Sequence, residues 1–129
     1  MCPVHASKRG GTMSGEVSFI EFGAADAMTA RTFYGKLFGW TFESGPGGDG
    51  YAVTGAGVPA GVHGSDPGAA PYVFFRVDDL DAAAAAVERL GGTVEALPGD
   101  DASTALFGEF RLCRDDQGSP FGLHRPPRA

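Results

Sequence analysis

Four pairs of matched residues stand at a single spacing along this chain, and that spacing constrains its fold more than any other feature. Phe19 and Tyr72, Asp26 and Asp79, Leu37 and Leu90, and Gly39 and Gly92 are each 53 residues apart. Further on the offset is 61, where Pro59-Ala60-Gly61-Val62-His63 is echoed by Pro120-Phe121-Gly122-Leu123-His124. Self-similarity at such a period marks a duplicated supersecondary unit. The change of offset falls in the later hairpins, where length varies most easily.

Each copy reads as β-α-β-β-β. In the first, Val17 to Gly23 alternates as a strand, and Asp26 offers an N-cap to a helix over Ala27 to Phe38. Gly39 stops that helix, and strands follow over Trp40 to Ser44, Tyr51 to Thr54 and Val58 to His63. Gly45 to Gly50 superficially resembles a phosphate loop, but it lacks the Gly-Lys-Ser/Thr ending and reads as a hairpin turn. After a polar linker at Ser65 to Ala70, Tyr72 to Val77 is a strand, and Asp78 or Asp79 caps a helix to about Leu90. Thr93 to Ala96, Ala105 to Arg114 and Ser119 to His124 complete the second copy as strands. The paired acids Asp78-Asp79 and Asp115-Asp116 fit capping and turn chemistry better than acid/base catalysis. The 21 glycines lie mostly between apolar runs, as many short strands require. Residues 1–15 show no periodicity and read as a disordered leader, with Met13 a candidate start.

A length of 129 residues suits one domain, with modules at about 16–64 and 71–126. A net charge of −6, with no basic cluster beyond Lys8-Arg9, argues against nucleic acid as a partner. No apolar run reaches the ~20 residues that span a bilayer, and no signal-peptide core opens the chain, so the expected compartment is the cytoplasm. Cys2 and Cys113 do not make a disulfide framework. Cys113 is weighed as a nucleophile near His124 and reads better as an ordinary strand residue.

Three stretches resemble a known superfamily. Ala30-Arg31-Thr32-Phe33-Tyr34-Gly35-Lys36-Leu37-Phe38-Gly39-Trp40 is similar to the first helix of the vicinal oxygen chelate proteins, which include glyoxalase I, bleomycin-resistance proteins and extradiol dioxygenases. Val77-Asp78-Asp79-Leu80-Asp81 resembles the entry to their second helix. Asp115 to Leu123 resembles the last hairpin of a glyoxalase-like branch, with Asp116 where that branch usually has Pro. The resemblance spans about residues 16–126 and implies an α+β fold, two tandem modules curving into a cleft. It also implies a homodimer, with each cleft assembled from modules of both chains. It assigns no reaction, because such folds serve lyases, oxygenases and non-catalytic binders.

Catalytic members of the superfamily hold a divalent metal with His, Glu or Gln from the first and last strand of each module. Those positions correspond here to Phe19, Gly61, Tyr72 and Gly122, none of which is a usual ligand. The expectation is therefore a cleft without metal or other cofactor. Two residues beyond these positions, on the same strand faces, stand Glu21, His63, Phe74 and His124. Glu21, His63 and His124 form the alternative: a displaced zinc or iron site, or an acid/base set serving a lyase-like or dioxygenase-like enzyme. The favoured reading makes Phe19, Glu21, His63, Tyr72, Phe74 and His124 the lining of a binding cleft for an aromatic or hydrophobic small organic molecule. Trp40, Phe107 and Phe110 complete the aromatic set, divided between core and cleft. A third reading is a structural or regulatory dimer whose rings fill the clefts.

Overall fold

Strand order makes the duplication visible. The computed structural model describes residues 13–45, 50–95 and 101–127. Its elements are β1 (Met13–Gly23), α1 (Ala27–Phe38), β2 (Thr41–Ser44), β3 (Gly50–Thr54), β4 (Ala60–His63), β5 (Tyr72–Val77), α2 (Leu80–Arg89), β6 (Thr93–Glu95), α3 (Asp101–Phe107), β7 (Glu109–Arg114) and β8 (Pro120–Arg125). The eight strands form one sheet in the order β2-β3-β4-β1-β5-β8-β7-β6. Read from either edge inward, the order within a module is second, third, fourth and first strand. β1 pairs parallel with β4 and β5 parallel with β8, while β1 and β5 meet antiparallel at the centre. The fold is the expected α+β arrangement of two modules. Among the described residues no helix is long and apolar enough to cross a membrane.

The two longer helices, α1 and α2, each cover the sheet of their own module. Under α2, Val77, Leu80, Ala83, Cys113 and Leu123 form one buried cluster; under α1, Ala27, Val53, Ala60 and Val62 form the other. Of the two acids at the second helix start, Asp79 is the cap, its carboxylate accepting the Ala82 N–H at 3.0 Å. Asp26 holds the equivalent place, but its carboxylate takes the Thr29 hydroxyl and makes no cap bond to the backbone. Gly39, at φ 78°, closes α1 by donating its N–H to the Gly35 carbonyl at 2.8 Å. Asp115 orders the last turn by accepting the Gln117 and Ser119 N–H groups, each at 2.9 Å.

Two expectations change. The strand expected over Ala105 to Arg114 begins only at Glu109, because residues up to Phe107 close the short helix α3. Gly108 makes the break: its φ is 97°, and a Cβ there would lie 2.3 Å from the Arg125 carbonyl oxygen. β1 starts at Met13 inside the supposed leader, with register shifts between Met13 and Phe19 and Gly15 at φ 84°. Residues 1–12 lie outside the described residues, as do 46–49 of the expected hairpin turn, whose ends are joined by a Gly45 N–H bond to the Gly50 carbonyl. Other strand ends move by one or two residues.

Candidate functional site

The sheet face opposite α1 and α2 carries the cleft, and residues of both modules line it. Phe19 and Glu21 of β1 and Tyr72 and Phe74 of β5 stand side by side in the central pair, with Phe19 opposite Phe74 and Glu21 opposite Tyr72. Phe107 at the end of α3 and Phe110 on β7 add rings from one side, and Gly61 and His63 of β4 flank the other. Together they bound a cavity of about 610 Å³. Phe19, Phe74 and Phe110 pack edge to face, with centroids 5.0 to 6.1 Å apart. The rings line the space and leave it open. β1 and β5, the first strands of the two modules, supply neighbouring walls from the same chain. Trp40 belongs to the core, stacked on Tyr34 beneath α1.

The polar end of the cavity is built on His63. Its Nδ1 lies 2.5 Å from Glu21 Oε2 and its Nε2 lies 2.9 Å from Asp66 Oδ2. Ionised carboxylates only accept, so an imidazole bonded to both must donate from both nitrogens and carry a positive charge. Burial works against that charge, but the Glu21 and Asp66 carboxylates outweigh it and raise the His63 pKa. Burial also raises the Glu21 pKa, against the pull of His63. Glycines make room for this cluster. A Cβ on Gly61 would stand 2.7 Å from Glu21 Oε1, and one on Gly23 would stand 2.6 Å from Asp66 Oδ2. Asp66, expected in the linker, is part of the site. The Ser65 and Asp66 N–H groups bond back to the Ala25 and Ala24 carbonyls, which carries Asp66 over Gly23. Its place three residues after a strand-end histidine was the available signal.

His124 does not join this group. It is 2 % exposed, stacked on Phe110 at 4.5 Å and packed against Phe19. Nε2 bonds to the Phe107 carbonyl at 2.7 Å and must donate; Nδ1 lies 2.8 Å from Ser18 Oγ and accepts in the neutral ring. Burial holds its pKa below the ordinary imidazole value. The reason lies in strand direction. β4 runs with β1, β8 runs with β5, and β1 opposes β5. Two residues further along therefore means opposite directions in the two modules: His63 sits level with Gly23, and His124 level with Arg76, beyond Val17. Six residues of strand span roughly 20 Å. The displaced Glu21/His63/His124 set is not assembled.

The side chains present also fail to fit a metal at the superfamily's four positions. Phe19 contributes a ring, and the Tyr72 hydroxyl donates to the Phe121 carbonyl at 2.9 Å with burial raising its pKa. The space beside Gly122 is filled by the Phe74 ring, 2.1 Å from where a Cβ would stand, and that beside Gly61 by the Glu21 carboxylate. Among the described residues no group of three His, Cys, Asp or Glu side chains is placed to hold a metal ion. Cys113 faces α2 from the other side of the sheet; burial pushes its thiol up to about 11, so it supplies no thiolate nucleophile near His124.

This geometry has relatives. The anthracycline biosynthesis protein DnrV of Streptomyces peucetius is 30% identical over an alignment 132 positions long, gaps included, that takes in 86% of this chain and 47% of that protein. The chain thus spans about half the length of that curated relative. Among solved structures, methylmalonyl-CoA epimerase from Mycobacterium tuberculosis superimposes with a TM-score of 0.62 at 16% identity, covering 95% of this chain and 94% of that one. A catechol 2,3-dioxygenase gives 0.65, also at 16% identity, covering 92% of this chain and 41% of that one. These likenesses show the fold. A family model for the glyoxalase-like domain matches residues 19–124, from the ring on the cleft floor to the buried histidine. The chain belongs to the glyoxalase-like domain family, within the vicinal oxygen chelate superfamily.

Proposed function

We propose that the protein is a metal-independent small-molecule binder that takes an aromatic or hydrophobic metabolite into the cleft between its modules. The observation carrying this reading is an open cavity of about 610 Å³, ringed by Phe19, Tyr72, Phe74 and Phe110, whose four metal-ligand positions hold only rings and glycines. The name of the Streptomyces peucetius relative points to anthracycline biosynthesis, and a fused-ring guest of that kind suits such walls. The exposed apolar side of α1, with Met28, Phe33, Leu37 and Phe38, is the surface on which a cytoplasmic homodimer would form. Fluorescence titration with anthracenylmethanol tests the reading. It should bind saturably at one molecule per chain and more weakly to Phe74→Leu. Equal binding to that variant, or none to either protein, contradicts it.

The Glu21–His63–Asp66 cluster favours a second reading, an acid/base enzyme in which Glu21 and His63 exchange protons with a bound substrate. Deuterium exchange from solvent into a bound carbon acid, lost in His63→Gln, would support it; its absence across a panel of carbonyl compounds would count against it.

A further inference from the structure

The cavity is asymmetric in charge. Its charged lining residues, among those described, are Glu21, His63 and Asp66, with no Lys or Arg. Two ionised carboxylates around one imidazolium leave a net charge of minus one. His63 engages Glu21 through Oε2; Oε1 lies 2.7 Å from where a Cβ on Gly61 would stand, and both residues line the cavity. A guest that fills the apolar part displaces water from around that oxygen and strengthens whatever it meets there.

We propose that the guest carries a protonated amine on an aromatic body, the ammonium donating to Glu21 Oε1 while the rings pack among Phe19, Tyr72 and Phe74. This rests on the cleft being the binding site and adds the charge class of what enters it. A hydroxyl can donate to the same oxygen, but it leaves the charge uncompensated; charge-assisted bonds are the stronger by about twofold. A carboxylate guest meets like charge and is rejected.

Three probes sharing one ring separate the cases by fluorescence titration at neutral pH: anthracenylmethylamine, anthracenylmethanol and anthracene carboxylate. The amine should bind about tenfold tighter than the alcohol, and the carboxylate weakest. In Glu21→Gln the amine and alcohol should come within about twofold of each other. In the unmodified protein, the amine's advantage should shrink as pH is lowered through the titration of Glu21. The groups facing that carboxylate are His63 on β4, Asp66 behind it, and Tyr72 across on β5. The pH series decides the matter if Glu21→Gln does not fold. An amine no tighter than the alcohol overturns the assignment, as does an advantage that survives Glu21→Gln or is flat through the carboxylate range; cleft binding then stands. No saturable binding by any of the three overturns both.

Discussion

His63 and His124 hold equivalent places on β4 and β8, and their surroundings give them opposite charge. His63, half-exposed between two carboxylates, has a raised pKa; His124, buried among rings with a carbonyl on Nε2, has a lowered one. Proton NMR of the chain's three imidazoles, assigned by single His→Gln variants, should show His63 titrating above the ordinary value of 6.5. His124 should titrate below 6.5. A common midpoint contradicts the two environments. Stability follows with opposite signs. The His63 contribution is complete below 6.5 and is lost as pH rises through its folded pKa. The His124 contribution is present above 6.5 and is lost as pH falls toward its folded pKa. His124→Ala removes a buried ring with two hydrogen bonds and should cost about 2–4 kcal/mol in urea unfolding at neutral pH; a loss under about 1 kcal/mol would contradict a structural histidine. Both histidines were visible as a pair in the sequence. Their separation was not, because parity along a strand gives the face of a side chain and says nothing of how the two modules run against each other.

At the scale of elements, glycines shape the cleft as much as side chains do. Gly122 stands against the Phe74 ring so closely that Gly122→Ala must move that ring or the strand. Overpacking of this kind costs about 1–3 kcal/mol, and calorimetry should show a lowered Tm; an unchanged melting curve would mean that the ring yields freely. The strands and the two longer helices were legible because their periodicity, caps and terminal glycines agree. α3 was not. Seven residues of mixed small and apolar character fit strand or helix equally, and the deciding residue was Gly108 just past its end. The helix matters to the site because Phe107, its last residue, lines the cavity and supplies the carbonyl that holds His124.

For the whole molecule, the duplicated architecture was readable from one spacing, and the aromatic walls from strand parity. The apolar stripe of α1 was readable too, but it is wider than the face the sheet covers: Phe33 and Leu37 remain 59 % and 56 % exposed. If a second copy covers them, sedimentation velocity should give the mass of two chains, and Leu37→Glu the mass of one with cleft binding retained. A monomer before the substitution contradicts the homodimer. Metal independence is the central claim, and titration of chelator-treated, metal-free protein with anthracenylmethanol tests it most directly. Saturable binding of one molecule per chain, unchanged when zinc or ferrous iron is added, is the predicted result. Binding that appears only with added metal, at one ion per chain, would contradict it.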